Sequence, residues 1–401
     1  MSYTQQQEIR VSVDVGCQRH SVAIGLSTGQ LLEEFDIIHQ SSGFDDFFNR
    51  IEHWKNHYQA SVSIAMEGYN GYARPLDRLI RLRQYRLYNI NNLKLARFKE
   101  IFPGAAKTDP IDARKGLELF QLSDRLPLAK GVLQEVIPAP EVNEQLKRLT
   151  RRRRRLVGER VSIMNSLQSD LQAVCPGLLE ITHDVGNVWF IGFLCSCQDL
   201  RKLARKRRTS LLKIRGIGQK YAGIIEQWQK QAFFSDEVDI VSPMVHEDAT
   251  RIMELNEKIK QLEIQIESLN EQSEIATLLR TIKGFGITTV AEMAGEIGSI
   301  DRFKDERSLA LYLGMAPLDN SSGRFKGSKN PKHVNTRAKS AMMAAVDRHR
   351  KFIPESERYY EKKRTEGKKH NQAVRALGRH LCRIIFKMLR NKVAYVVKEF
   401  N

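Results

Sequence analysis

Val11-Ser12-Val13-Asp14-Val15-Gly16 is an apolar run that carries one carboxylate near its end. A second run, Val62-Ser63-Ile64-Ala65-Met66-Glu67-Gly68, repeats this plan and ends in Glu67. Short runs rich in β-branched residues and followed by glycine are typical of buried strands. We therefore predict two strands, each of which presents a carboxylate, Asp14 or Glu67, at its carboxyl end.

The segments around these two runs predict an ordered series of strands and helices. They are strands at 9–15, 21–27 and 31–38, a helix from about residue 42, a strand at 62–66, a helix at 72–83 and a strand at 85–90. Alternating hydrophobicity marks the strands, and helical spacing of Phe44, Phe47 and Ile51 marks the first helix. Three strands, helix, strand, helix and strand is the order of an RNase H-like α/β domain, which has a mixed sheet with helices.

Two further carboxylates lie three residues apart in Lys107-Thr108-Asp109-Pro110-Ile111-Asp112-Ala113-Arg114. Asp109 followed by Pro110 predicts a helix start, because aspartate is a favoured N-cap and proline fits the first helical position. Asp109 and Asp112 then share one side of the first turn. The positive end of the helix dipole there favours ionised carboxylates.

The four acids together indicate a divalent-metal site that acts on a phosphodiester. Hard cations such as Mg²⁺ (or Mn²⁺) prefer oxygen ligands, and Asp14, Glu67, Asp109 and Asp112 supply them. Two such ions about 4 Å apart neutralise charge on the scissile phosphate and the leaving oxygen. The alternative is a cluster of surface acids in which Asp109 only caps a helix.

A linker rich in proline, with Pro127, Pro138 and Pro140, precedes a predicted helix at 141–174. A second helix has Ile252, Leu255, Ile259, Leu262, Ile266 and Leu269 at heptad spacing. Their seams predict a coiled-coil hairpin with a helical insert at about 175–245, paired within the chain or between subunits. The first helix also carries a run of five arginines, either a solvated face or a phosphate-binding surface: Arg151, Arg152, Arg153, Arg154 and Arg155.

Two segments share a helix, a Gly-apolar-Gly turn and a second helix. The turns are Gly216-Ile217-Gly218 and Gly284-Phe285-Gly286. Glycine permits the tight turn, and the free N–H groups of the next helix can hold a phosphate. We read both as helix-hairpin-helix motifs, with a simple packing turn as the alternative.

The net charge of +18 is concentrated near the C-terminus. Residues 1–128 hold 16 Lys/Arg and 15 Asp/Glu, net +1, whereas residues 324–401 hold 22 and 6, net +16. A polyanion partner is expected, and nucleic acid suits the carboxylate site better than anionic lipid does. Scattered cysteines and the lack of a run of about 18 apolar residues predict a cytoplasmic protein with no membrane span.

These motifs together resemble the DEDD transposases of bacterial insertion sequences, the IS-one-ten group, which includes Piv-type DNA invertases. The C-terminal third agrees through Leu309-Ala310-Leu311-Tyr312-Leu313-Gly314-Met315-Ala316-Pro317 and Ser321-Ser322-Gly323. The resemblance implies a RuvC-like metal-binding domain at 1–128, a coiled-coil hairpin at 141–275 and a mainly α-helical transposase domain at 276–401.

The resemblance also implies residue roles. Asp14, Glu67, Asp109 and Asp112 would be the metal ligands, and Ser322, which precedes a glycine as in the family, would be the nucleophile that becomes linked to DNA. Ser321 is the rival nucleophile. Expected partners are donor and target DNA, a structured guide RNA and further copies of the chain in a dimer or tetramer. Expected nucleic-acid contacts, besides the arginine run and the four turn glycines, are Arg324, Lys326, Lys329, Lys332 and Arg337.

After the serine the chain departs from the family pattern. The family has Lys-x-Gly-Asn and then Leu-Arg, whereas this chain has Gly327-Ser328-Lys329-Asn330-Pro331-Lys332-His333-Val334-Asn335-Thr336-Arg337. Asn335 and Arg337 can hold the Asn and Arg places, but the glycine is missing. Three alternatives stay open: a Piv-like invertase, a metal-dependent Holliday-junction-type nuclease without a covalent step, and a non-catalytic nucleic-acid-binding protein.

Overall fold

The computed structural model describes residues 7–67, 73–100, 109–123, 132–322, 325–329 and 334–396. Within these ranges only the backbone is described at positions 93, 94, 97, 99, 109, 110, 318–322 and 325–329. The chain divides into two compact units, Met1–Ile137 and Pro138–Asn401.

The first unit contains a six-stranded mixed sheet. Its strands are β1 (Glu8–Val15), β2 (Arg19–Leu26), β3 (Leu31–Ile38), β4 (Ser61–Glu67), β5 (Arg86–Ile90) and β6 (Leu133–Glu135). They lie in the order β3-β2-β1-β4-β5-β6. The pairs β1–β4 and β4–β5 are parallel, and the others are antiparallel. The carboxyl ends of β1, β4 and β5 therefore meet at one edge.

The described residues of this unit also form four helices, α1 (Ser41–Tyr58), α2 (Arg74–Leu82), α3 (Asn92–Lys99) and α4 (Asp109–Leu122). α1 packs Phe47 and Ile51 into a core with the buried side chains of β1 and β4. α4 lies against β1 and β2 on the sheet. The central strands β1 and β4 are therefore buried on both faces, with an apolar face toward α1 and buried polar residues such as Arg10, Ser12 and Ser63 on the opposite face.

The second unit is mostly helical. Its helices are α5 (Glu141–Val174), α6 (Val188–Cys195), α7 (Leu200–Leu203), α8 (Arg208–Leu211), α9 (Gln219–Gln231), α10 (Val238–Gln272), α11 (Glu274–Arg280), α12 (Ile287–Ile297), α13 (Glu306–Tyr312), α14 (Thr336–Arg350), α15 (Pro354–Thr365) and α16 (His370–Asn391). A two-stranded hairpin, β7 (Leu318–Ser322) and β8 (Phe325–Lys329), lies between α13 and α14. No helix in the described ranges is both long enough and apolar enough to cross a membrane.

The two long helices α5 and α10 pack against each other within the chain. The predicted seam residues Ile252, Leu255, Ile259 and Ile266 are buried. Arg153 pairs with Glu263, and Arg160 donates a hydrogen bond to Asn256, so polar side chains of α5 also face α10. The seam is thus occupied within one chain, while a supercoiled coiled coil stays a prediction.

The described residues of the second unit form two hydrophobic cores. One gathers α6 and α9 around parts of α5 and α10, and the other gathers α11 to α16. The predicted boundary at 275/276 falls between α10 and α11 and, like the other domain limits, stays a prediction. α10 begins at Val238, inside the stretch expected to be the insert.

The sequence-based fold class is confirmed at the level of a mixed sheet with helices followed by a mainly helical region. The β7–β8 hairpin of the second unit had not been predicted, and neither had two elements among the described residues of the first unit. β6 is a three-residue strand inside the expected proline-rich linker, and α3 follows β5 directly. A three-residue strand is too short to show alternation, so only its pairing with β5 reveals it.

Candidate functional site

Asp14 and Glu67 are register partners on the parallel strands β1 and β4. Register partners on neighbouring strands project to the same face of a sheet. Asp14 is the next-to-last residue of β1, and Glu67 is the last residue of β4. Both carboxylates therefore lie at the edge where parallel strands end, which is where ligands bind in open α/β sheets.

Helix α4 covers this face and carries Asp112. Arg10 on β1 donates a hydrogen bond to the carbonyl oxygen of Phe120 at 2.6 Å. Gly116 approaches Ser12 so closely that a β-carbon there would lie 2.3 Å from the Ser12 hydroxyl oxygen. Four residues of an α-helix and two residues of a β-strand each advance the chain by about 6 Å. Extending this alignment by one more step predicts that Asp112 lies at the level of Asp14.

Asp109 is the first residue of α4, and its side chain lies outside the described residues. Among the described side chains, no three His, Cys, Asp or Glu residues are close enough together to hold an ion. The donors that share this edge are all carboxylate oxygens, which suits Mg²⁺. Asp14, Glu67 and Asp112 are thus not gathered into a three-ligand group among the described side chains, although the first two share one face and the helix that covers it carries Asp109 and Asp112.

One further carboxylate in this row was missed by the sequence analysis. Asp14 pairs with Ser21 on β2, and Ser21 pairs with Asp36 on β3. The Ser21 hydroxyl donates a hydrogen bond to Asp36 at 2.6 Å. Alternation along β3, with Ile37 buried and Asp36 exposed, could have identified its face. Asp36 lies two strands from Asp14, so it borders the row of acids.

The two candidate serines lie in the hairpin of the second unit. Ser321 pairs with Lys326, and Ser322 pairs with Phe325. Ser322 is the last residue of β7, next to the turn, and the side chains of both serines lie outside the described residues. Arg324 and Lys332 lie outside them altogether, and Lys326 and Lys329 have only a described backbone.

Three arginines of the predicted run bind carboxylates of their own unit. Arg151 contacts Glu296 at 2.7 Å, Arg153 contacts Glu263 at 2.6 Å, and Arg154 contacts Glu292 at 2.5 Å. Arg152 and Arg155 are exposed. Arg152 and Arg155 thus present exposed cations that suit phosphate contact, whereas the other three guanidinium groups are engaged by carboxylates.

The two Gly-apolar-Gly turns have the same backbone but different surroundings. Gly216 and Gly284 have φ values of +86° and +88°, which favour glycine. A β-carbon at Gly284 would lie 2.7 Å from the His349 α-carbon, so that turn packs closely against α14. A β-carbon at Gly218 would meet nothing within 4 Å, whereas one at Gly286 would lie 3.7 Å from an Arg348 guanidinium nitrogen. DNA binding by either turn stays a prediction.

Asn335 and Arg337 lie at the start of α14. Asn335 is the N-cap, and its side-chain oxygen accepts hydrogen bonds from the backbone N–H groups of Arg337 and Ala338 at 3.1 and 3.0 Å. Arg337 is exposed. The two residues thus have separate tasks, since one caps the helix and the other offers a cation to solvent.

A groove of about 350 Å³ lies beside the segment that leads into the serine hairpin. Gly314, Met315, Ala316 and Pro317 form one part of its lining. Lys368, Arg375 and Arg379 contribute positive charge to it, and Glu366 contributes negative charge. Glu366 is paired with Lys363 at 2.8 Å, so the lining has a net excess of cations.

Comparison with known families identifies the class of protein, a DNA transposase. Residues 11–176, which include all four predicted metal ligands, match a family model described as a transposase of the DEDD, IS110 type. Residues 276–361, which include both serines, match the model of the transposase IS116/IS110/IS902 family. The chain belongs to this IS110-type family of insertion-sequence transposases.

Curated relatives agree with this assignment. The chain is 28% identical over 304 residues to the uncharacterized 44.8 kDa protein of insertion element IS116 from Streptomyces clavuligerus, 74% of each chain. It is 26% identical over 314 residues to the 43.6 kDa protein of insertion element IS110 from Streptomyces coelicolor, 76% of this chain and 75% of that one. A 42 kDa protein of insertion element IS900 from Mycobacterium paratuberculosis is 33% identical over 149 residues, 37% of each chain. DNA is therefore a partner of this protein, and the family is consistent with use of a divalent metal.

Proposed function

We propose that this transposase cuts and rejoins DNA at insertion-sequence ends through a covalent serine–DNA intermediate. Asp14, Glu67, Asp109 and Asp112 hold Mg²⁺ or Mn²⁺, and Ser322 attacks the DNA, with Ser321 as the rival. The observation that supports the proposal is the pairing of Asp14 with Glu67 at the carboxyl edge, beside the helix α4, which packs on β1 and carries Asp112 in its sequence.

The proposed chemistry consists of two balanced transfers. The serine hydroxyl oxygen attacks the phosphorus as its proton passes to a base. The bond from phosphorus to one sugar oxygen breaks, and that oxygen takes up the proton from the base and leaves as a hydroxyl. A strand-end hydroxyl then attacks the phosphoserine, which restores a phosphodiester and the free serine. When bound, the metal neutralises charge on the phosphate oxygens. Serine needs such help because it is a weak nucleophile at neutral pH.

The proposed chemistry uses acids of the first unit and a serine of the second unit. Asp14, Glu67 and Asp112 are fixed by a sheet and a packed helix, which are rigid mounts for a metal site. Ser322 is carried next to the turn of a two-stranded hairpin. The metal site would hold the phosphate while the serine attacks it.

Nucleic-acid binding in this proposal uses the exposed cations of the second unit. Arg152, Arg155 and Arg337 are exposed, and Lys368, Arg375 and Arg379 line the groove beside the hairpin. Each neutralised phosphate releases counterions and contributes to affinity. The same cations suit DNA and a structured guide RNA, so competition between labelled donor DNA and candidate RNA from the element's ends tests the RNA partner.

We further propose that the chain acts as a homo-oligomer, a dimer or a tetramer. The seam of α10 is already occupied by α5, so self-association must use another surface. Val161 on α5 and Ile264 on α10 are apolar and exposed, at 46% and 55%. Sedimentation of a Val161→Glu, Ile264→Glu variant tests this surface. An unchanged mass relative to a wild-type oligomer would exclude it.

One experiment tests the covalent mechanism against a nuclease. Protein is incubated with DNA ends and Mg²⁺, denatured, and examined for protein–DNA adducts. The proposal predicts adducts in the wild-type protein and none in Ser322→Ala. A nuclease without a covalent step would still cut as Ser322→Ala, and adducts lost only in Ser321→Ala would make Ser321 the nucleophile.

A further inference from the structure

The serine hairpin belongs to a 22-residue excursion, 313–334, whose two ends are joined by side chains. Tyr312, the last residue of α13, precedes the excursion, and Asn335, the N-cap of α14, follows it. The Asn335 side-chain nitrogen donates a hydrogen bond to the Tyr312 hydroxyl at 2.7 Å. The excursion is thus closed at its base by one direct contact.

A buried carboxylate completes this closure. Glu296 on α12 is 1% exposed. Its carboxylate accepts a second hydrogen bond from the Asn335 nitrogen at 2.7 Å. The Tyr312 hydroxyl donates to the Glu296 main-chain oxygen, also at 2.7 Å. Both ends of the excursion are therefore held by one residue of a helix in the core.

Arg151 on α5 neutralises Glu296 from the other side. Its guanidinium contacts both carboxylate oxygens, at 2.7 and 2.9 Å. Burial alone would raise the pKa of Glu296, but the hydrogen bonds from Arg151 and Asn335 outweigh it and hold the pKa below its usual value. The carboxylate is thus ionised, and ionised groups are buried only when such partners are supplied.

Asparagine suits this position because both ends of its amide are used. The oxygen accepts from two N–H groups of α14 while the nitrogen donates to Glu296 and Tyr312. Aspartate or serine can cap a helix. Aspartate cannot donate to Glu296, however, and serine has a single, shorter hydroxyl. A capping task alone would not require asparagine.

We propose that Arg151, Glu296, Tyr312 and Asn335 form a polar clasp that positions the serine hairpin for attack on DNA. They are positioning residues, since they hold the base of the excursion and the serine lies at its far end. The inference rests on the proposed serine chemistry. It adds that the rate of that chemistry depends on a half-buried ion pair between Arg151 on α5 and Glu296 on α12.

The test variant is Asn335→Asp, which keeps a good N-cap but places a second carboxylate against Glu296. The double variant Glu296→Gln, Asn335→Asp restores one hydrogen-bond donor and one acceptor across the contact between positions 296 and 335. Tyr359→Phe is the matched control, because it removes a partly buried hydroxyl that contacts His380 at 3.0 Å elsewhere in the same unit. Tyr312→Phe tests the other end of the excursion.

Two readouts separate positioning from general stability. Hydrogen exchange reports on the amides of residues 313–334. The rate of adduct formation at saturating DNA is compared with the Kd for DNA. Asn335→Asp should speed exchange in the excursion and slow adduct formation about 10- to 100-fold, because displacements near 1 Å can cost that much. The Kd for DNA should stay within about twofold of the wild-type value. The double variant should recover part of the rate of adduct formation.

The clasp proposal would be overturned if Asn335→Asp kept the hydrogen-exchange protection and the rate of adduct formation of the wild-type protein. It would also be overturned by faster exchange with an unchanged adduct rate, which would make the clasp only a structural contact. Failure of the proposed function looks different, because the wild-type protein itself would then form no adduct. That result would also remove the positioning role, whatever the exchange data show.

Discussion

Asp14 and Glu67 face the same side of the sheet as register partners on adjacent parallel strands. Neighbouring strands lie about 4.8 Å apart, so two carboxylates in this arrangement repel each other unless a cation or a hydrogen-bond donor lies near them. A site built this way is rigid, since β1 and β4 are central strands of a six-stranded sheet. This pairing is the structural basis of the proposed metal site.

Replacing either acid should abolish metal-dependent chemistry without unfolding the first unit. Asp14→Asn and Glu67→Gln keep the side-chain shape but remove a charged ligand. We expect Mg²⁺ binding, measured by calorimetry, to weaken at least about tenfold and DNA cleavage to be lost, because each ligand contributes directly to the ion. Asp45→Asn, on an exposed carboxylate of α1, is the control and should change neither. Full cleavage by Asp14→Asn would exclude a metal role for Asp14.

Crossing of α5 and α12 depends on Gly295. A β-carbon there would lie 2.5 Å from the Lys147 backbone nitrogen, so Gly295→Ala should lower the free energy of unfolding by about 1–3 kcal/mol. Gly158→Ala on α5 is the matched control, because a β-carbon there would meet nothing within 4 Å. That variant should be neutral or more stable by about 0.5–1 kcal/mol. Urea unfolding measures both, and equal effects would contradict the close crossing.

Acid should destabilise the first unit through His20. Burial, followed by the charge of His39, lowers the pKa of His20 from 6.5 to about 4. The unfolded chain therefore binds this proton first as the pH falls. Stability that depends on neutral His20 is fully present above about pH 6.5 and is lost progressively down to about pH 4.

Urea midpoints measured across this range should fall with decreasing pH in the wild-type protein. His20→Asn removes the titrating ring that contacts His39 at 2.7 Å. It should be less stable at neutral pH but should show a shallower pH dependence. An identical pH slope in both proteins would mean that His20 does not carry the effect.

Replacing the neighbouring residues Arg151 and Arg152 of α5 should have different effects on stability and on nucleic-acid binding. Arg152→Gln, at an exposed position, should leave unfolding unchanged and weaken nucleic-acid binding, with the slope of log K against log salt reduced by about 0.9 per lost phosphate contact. Arg151→Gln removes the partner of buried Glu296. It should cost about 1–3 kcal/mol of stability, less than for a fully buried pair, because Arg151 is partly exposed. Fluorescence anisotropy at several salt concentrations and urea unfolding measure the two effects, and identical profiles would contradict the assignment.

Much of the first unit could be predicted because its patterns are local. Alternation predicts β1 to β3, and helical spacing of Phe44, Phe47 and Ile51 predicts α1. Proline after Asp109 predicts the start of α4, which begins at that residue. By contrast, the position of Asp112 beside β1 depends on the contact of Gly116 with Ser12, between residues more than a hundred positions apart.

The clasp and the division of the arginine run could not be predicted from one sequence. Five consecutive arginines are equivalent in a charge pattern, and only the packing of α5 against α10 and α12 separates Arg151, Arg153 and Arg154 from the exposed pair. Glu292 and Glu296 are four residues apart on α12 and are buried, at 7% and 1%. A buried carboxylate in an apolar helix is a signal, but it does not identify its partner.

The covalent intermediate is the central claim, and trapping tests it most directly. Wild-type protein, Ser321→Ala and Ser322→Ala are each incubated with DNA ends and Mg²⁺, denatured and digested, and the phosphorylated peptide is identified by mass spectrometry. The account predicts a nucleotide on Ser322 in the wild-type protein and in Ser321→Ala, and no adduct in Ser322→Ala. Strand transfer by the wild-type protein without any adduct would contradict the account. Full strand-transfer activity in the double variant Ser321→Ala, Ser322→Ala would contradict it as well.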